Sequence, residues 1–186
     1  MRSTRSSRAK YEKSKKSGNA FSWVLCIVIA VAAAFLIRTF VFEPIQVDGD
    51  SMQPTLHSHQ SLAVEKVSRY FSLPERQQVV IVHYPNDADD KAYVKRVIGL
   101  PGETIEIKDS TVYINGTPLE ENYISQTPYR DMEAVTVPDD CVFVMGDNRA
   151  NSKDSRAVGC IAHSEIVGNA MFIIWPFDEI GEIGAN

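Results

Sequence analysis

Apolar positions fall into two unlike patterns along this chain. From Ala20 to Ile37 the run AFSWVLCIVIAVAAAFLI holds eighteen residues without a charge. As a helix it would extend about 27 Å, close to the roughly 30 Å hydrocarbon thickness of a bilayer. Arg38 can snorkel at its far end, with Phe40, Val41 and Phe42 at the interface. Downstream the apolar residues come in short β-rich runs: Val79 to Val82, Tyr93 to Ile98, Thr104 to Ile107, Thr111 to Ile114, Cys141 to Met145 and Ala170 to Trp175. Turn signals separate them, among them Tyr84-Pro85-Asn86-Asp87, Leu100-Pro101-Gly102, Asp109-Ser110, Asn115-Gly116 and Trp175-Pro176. No sustained helical period occurs beyond the first run, apart from a turn or two expected between Ala63 and Phe71. The pattern predicts a mostly β domain following one N-terminal transmembrane helix.

Charge orients that helix. Residues 1–19 carry seven Lys/Arg against Glu12 alone, a net +6 that leaves −11 for the remainder of a chain whose formal charge is −5. A basic stretch directly before an apolar segment records membrane orientation rather than nucleic-acid binding, so no nucleic-acid partner is expected. The reading is a basic cytoplasmic tail at 1–19, an anchor at 20–42 and an extracytoplasmic β domain at 43–186. A cleavable secretory signal competes with the anchor, because Ala30 to Ala34 resembles a cleavage region. The apolar character continues through Phe35-Leu36-Ile37, however, beyond the usual 7 to 15 residues of such a signal. With 44% hydrophobic residues, the 186-residue chain has enough apolar surface for a proper core.

Cysteine and histidine narrow the chemistry. Cys26 lies within the anchor, while Cys141 and Cys160 lie in the exported part, where a disulfide and two free thiols are both open. The four histidines, His57, His59, His83 and His163, fall in no metal-ligand or nucleophile-elbow pattern and read as surface or strand-end residues. Asn115-Gly116-Thr117 is formally a glycosylation sequon, but Asn-Gly between apolar runs reads better as a hairpin turn. Phe40, Phe42, Trp175 and Phe177 are candidates for contact with lipid, although Trp175 is expected in the core.

Three segments carry the candidate chemistry. VDGDSMQPTL, residues 47–56, holds Ser51 in a loop that Gly49 allows to turn and Pro54 stiffens. A serine nucleophile needs a base, and with no suitable histidine the search turns to lysine. Lys108 sits on the polar face of its run with Thr104 and Glu106. In Tyr93-Val94-Lys95-Arg96-Val97-Ile98, alternation puts Lys95 on the face of Tyr93 and Val97, and Arg96 on that of Val94 and Ile98. Both charges thus point into apolar surroundings. Burial would lower the amine pKa of Lys95 from about 10.4, whereas a buried Arg96 would need a carboxylate. The best source is GDNRANSKDSR, residues 146–156, which holds Asp147, Asn148, Ser152, Asp154, Ser155 and Arg156. By composition alone this segment is a polar surface loop.

The ordered trio VDGDSMQPTL, YVKRVIGLPGE and MGDNRANSKDSR, after an N-terminal anchor, resembles the type I signal peptidases, most closely the short bacterial enzymes. The resemblance implies their mostly β catalytic fold, Ser51 as nucleophile, Lys95 as general base and Ser152 as a hydrogen-bond partner of the lysine. It further implies that Asp154 and Arg156 brace the site and that Asp147 and Arg96 form structural ion pairs. It implies no metal or organic cofactor, and as partners preproteins with signal peptides and the lipid bilayer. Gly49 departs from family members that carry a hydroxyl residue two positions before the nucleophile. The oxyanion is then expected on the Ser51 N–H, with a Gly49 backbone contribution or water. Two rivals remain: a self-cleaving repressor-type Ser/Lys peptidase, which should have a DNA-binding region in place of the anchor, and a non-enzymatic anchored β module assisting export or assembly.

Overall fold

The structure, a computed structural model, describes residues 22–35, 41–89, 91–125 and 128–184. The chain divides into two units, Met1–Val41 and Phe42–Asn186. In the first, helix α1 covers residues 22–35, and each of its side chains is exposed although none is charged. No helix among the described residues is long and apolar enough to cross a membrane. The basic tail and residues 20, 21 and 36–40 of the expected anchor lie outside the described residues. Phe42, expected to close the anchor, opens the first strand of the second unit.

The second unit is built from antiparallel strands in two sheets. The larger runs β1-β2-β11-β3-β4-β9-β10, with β12 attached to β11. Its members are β1 Phe42–Gln46, β2 Ser61–Glu65, β3 Val79–His83, β4 Ala92–Gly99, β9 Cys141–Met145, β10 Ile161–Ala162, β11 Ile166–Trp175 and β12 Gly181–Glu182. The smaller runs β7-β6-β5-β8, from β5 Thr104–Lys108, β6 Thr111–Ile114, β7 Thr117–Pro118 and β8 Met132–Thr136.

Burial explains which runs became central. β3 is VVIVH with its first four residues buried, a continuous apolar run suited to a strand covered on both faces. Beside it β4 buries everything from Val94 to Gly99, charges included. Asn115 and Gly116, with φ of 51° and 81°, form the expected turn between β6 and β7. Asp109 and Ser110 do the same between β5 and β6, at 48° and 58°.

Two expectations change, and two strands appear where the apolar pattern marked none. Ala63 to Glu65 belongs to β2 rather than to a helix, because only Leu62 and Val64 point inward and that period is two; a 3₁₀ turn follows at Ser68–Tyr70. Strands β1 and β8 arise from mostly exposed segments without clean alternation, as their edge positions permit. Trp175 is not in the core: it is 50% exposed and meets Phe177 edge-on at 4.6 Å.

Three apolar clusters hold the domain. Met52 and Leu56 enter one with Leu62, Val64, Ile81 and Ile173; Val80, Val97, Val144 and Ile166 form another; Ile98, Phe143 and Met145 meet the small sheet through Ile105, Ile107 and Val112 in the third. Cys141 and Cys160 are free thiols at the margin of the third.

Candidate active site

Ser51 owes its position to its neighbours in sequence. Gly49 turns the chain with φ of 96°, and Leu56 N–H donates to the Met52 carbonyl across one turn at 2.9 Å. Met52 and Leu56 are buried, and each contributes about 2 kcal/mol of apolar burial that pins the loop to the core. On the solvent side Asp50 accepts a hydrogen bond from Gln53 Nε2 at 2.8 Å.

β4 delivers the amine. Lys95 Nζ lies 2.7 Å from Ser51 Oγ, its hydrogen-bond partner, and donates to the Val94 carbonyl at 2.8 Å. The Tyr93 ring is the next aromatic neighbour, 5.8 Å from Nζ to its centroid. The lysine is 2% exposed. Burial pushes its pKa down to about 8, opposed by the negative charges of Asp154 and Asp147. A neutral amine is therefore accessible near neutrality, within reach of a hydroxyl.

Arg96, one residue on, occupies the opposite face and does find a carboxylate. Its Nε and Nη2 donate to the two oxygens of Asp147 at 2.8 and 2.6 Å, and Nη1 donates to the Gln77 carbonyl at 2.8 Å. Asp147 also accepts the Thr55 hydroxyl at 2.6 Å. One fully buried carboxylate thus joins the Ser51 loop, β4 and the 146–156 segment.

That segment leaves β9 at Gly146. Asp154 caps the short helix α2, Ser155–Val158, accepting from the Arg156 N–H. Its carboxylate also takes Arg156 Nε and Nη2, both at 2.8 Å, and the Gly146 N–H at 3.0 Å. Burial works against the charge on Asp154, but the Arg156 hydrogen bonds and charge, with the Gly146 N–H, hold it below the usual carboxylate range. Gly146 packs so closely that a Cβ would overlap the Ser51 carbonyl oxygen and the Ser152 side chain.

Ser152 Oγ is buried beside this glycine; it makes no hydrogen bond to Lys95, and its approach to Asp154, too poorly aligned for an ordinary hydrogen bond, adds to what holds that carboxylate charged. Gly49 donates its N–H to Ser58 Oγ at 3.3 Å, so that donor is already engaged. Sequence reasoning gave Asn148 no role, yet its backbone N–H donates to the Ser51 carbonyl at 3.0 Å and its Nδ2 donates to the Asp50 carbonyl at 3.1 Å. Missed outright were Thr55 and the buried pair Arg149–Glu121. A second arginine in the segment was the available signal for that pair, since a buried guanidinium requires a partner.

A buried lysine at hydrogen-bond distance from a serine, braced by buried carboxylates, is an arrangement able to activate a hydroxyl without histidine. The sequence matches the family described as "Signal peptidase, peptidase S26" over residues 20–175. It is 41% identical over 183 residues to Signal peptidase I S of Bacillus subtilis (strain 168), covering 92% of this chain and 97% of that one. It is 44% identical over 183 residues to Signal peptidase I of Bacillus licheniformis, covering 91% and 96%. A solved signal peptidase I from Enterococcus faecalis V583 is 34% identical, with a TM-score of 0.47 over 53% of this chain and 97% of that one. The chain belongs to the S26 signal peptidase family, serine endopeptidases that remove signal peptides.

Proposed function

We propose that this enzyme cleaves signal peptides from exported preproteins by a Ser51/Lys95 dyad through an acyl-enzyme. The observation that carries the reading is the 2.7 Å separation of Lys95 Nζ and Ser51 Oγ, with the amine buried. Neutral Lys95 takes the Ser51 proton as Oγ attacks the carbonyl carbon at the end of the signal peptide. The developing oxyanion rests on the Ser51 N–H; the Gly49 N–H, already bonded to Ser58, is a poorer candidate. The C–N bond then breaks, the Lys95 ammonium gives its proton to the departing amine of the mature protein, and the signal peptide remains esterified to Ser51. Lys95, neutral again, draws a proton from water, which attacks the ester and restores the serine.

In this reading Asp147, Arg96, Asp154 and Arg156 fix the geometry, and Ser152 packs against Gly146 behind the Ser51 loop. No step calls for a metal or organic cofactor. The protein is held in the cell membrane by residues 20–42, with its basic tail cytoplasmic and its catalytic domain outside. The uncharged, exposed surface of α1 supports the anchor, and the exposed Trp175, Phe177 and Phe172 support contact of the domain with lipid. A substrate threaded in the same bilayer meets the site at raised effective concentration.

Ser51→Ala and Lys95→Ala test the dyad. Each is expected to abolish cleavage of a preprotein by the full-length enzyme while the circular dichroism spectrum is retained. Product with a new amino terminus from either variant would overturn the assignment.

A further inference from the structure

Arg149 is 1% exposed in its side chain and Glu121 5%, so this ion pair is as buried as that of Arg96. Arg149 Nη1 donates to Glu121 Oε2 at 2.9 Å and Nη2 donates to Oε1. Its Nε donates to the Gly146 carbonyl at 3.0 Å. The Gly146 peptide is thereby held by Arg149 on one side and by Asp154 on the other, with its Cα against the Ser51 carbonyl. Glu121 Oε1 accepts a further bond from the Tyr123 hydroxyl at 2.8 Å, and the Tyr123 ring covers the Arg96 guanidinium at 3.9 Å. A single carboxylate, on the connector between β7 and β8 and outside all three motifs, therefore grips the 146–156 segment through Arg149 and reaches Arg96 on β4 only by way of the Tyr123 ring.

We propose that Glu121 is a positioning residue for the hydrolytic site: through Arg149 it holds the Gly146 peptide against the nucleophile loop, and so keeps Ser51 within reach of a water-free Lys95. The inference rests on the reading of Ser51 and Lys95 as nucleophile and base. Stability alone does not account for the pair, because a buried ion pair is commonly no more stabilising than apolar side chains of the same volume. Its effect is directional. Bidentate contact fixes the guanidinium plane, and that plane aims Nε at one carbonyl.

The test uses the full-length enzyme in detergent or vesicles with a preprotein substrate. Glu121→Gln is expected to lower kcat on the order of tenfold with little change in KM, since it loosens the reacting groups rather than the substrate. Water reaching Lys95 should also move the acid limb of kcat/KM upward. The groups that face the lysine, Asp154, Asp147 and Tyr93, are unchanged in this variant, so the movement reports hydration. Glu121→Asp should recover part of the rate. Should Glu121→Gln fail to fold, Glu121→Leu with Arg149→Met removes both charges and is expected to fold, yet to remain slow with the limb displaced. A wild-type kcat and acid limb in Glu121→Gln, or in the double variant, overturns the proposal. Inactive Ser51→Ala and Lys95→Ala beside a fully active Glu121→Gln would remove this inference and leave the dyad standing.

Discussion

Gly146 and Ser51 touch through their backbones: the glycine Cα faces the serine carbonyl oxygen with no room for a side chain. Asn148 N–H donates to that same oxygen at 3.0 Å, so the 146–156 segment fixes Ser51 from behind. Gly146→Ala must therefore displace the Ser51 loop or the segment. The expected outcome is a stability loss of about 1–3 kcal/mol with a larger proportional loss of kcat. Denaturant midpoints beside steady-state kinetics check it.

The pH profile follows from the lysine. With a pKa of about 8, about one Lys95 in ten is neutral at pH 7, and each further unit down removes about another tenfold. Cleavage should rise from pH 6 to 8 and level off above. Activity unchanged down to pH 5 would be incompatible with Lys95 as base.

Asp154→Asn gives a change of opposite sign to that of Glu121→Gln. The Asp154 charge favours the ammonium form of Lys95, so its removal lowers the lysine pKa further and shifts the acid limb to lower pH. At the same time Arg156 loses its partner and Gly146 a charged acceptor, so kcat should fall. A pH series on the variant separates the two effects.

Lys95 also limits stability. Its folded pKa is depressed, so between about 8 and 10.5 the unfolded chain binds more protons and stability increases with pH. Below pH 8 both states are protonated, and the folded state carries the full penalty of a buried ammonium. Lys95→Met should be inactive but more stable at pH 7 by about 2–3 kcal/mol, the gain shrinking as pH approaches 10.5. Urea melts at pH 7 and pH 10 measure both.

Arg96→Met strands Asp147, whose side chain is fully buried. An uncompensated buried carboxylate costs about 3–5 kcal/mol, and adding Asp147→Asn should recover much of it. Thermal melts of the single and double variants give the comparison.

Much of this was legible because successive side chains of a strand point to opposite faces, so adjacent charges inside an apolar run must each enter a different buried face. That alternation put Lys95 and Arg96 on opposite buried faces, and the need of Arg96 for a carboxylate led to the segment that supplies Asp147. The Asn115-Gly116 turn was legible from its demand for positive φ. Strands β1 and β8 were not, because edge strands bury little and need no clean pattern. Glu121 was illegible for another reason: it lies 28 residues from Arg149, and only the folded path brings them together. The Asn148 contact to Ser51 uses a backbone N–H, which every residue but proline has.

Apart from the exposed Lys153, the segment from Gly146 to Arg156 carries its charges in pairs closed within protein, Asp147 with Arg96, Arg149 with Glu121 and Asp154 with Arg156. Ions in the medium reach such pairs poorly, in contrast to pairs on an open surface. Changes in ionic strength should therefore disturb the framework around Ser51 and Lys95 less than they disturb the pairs at the surface.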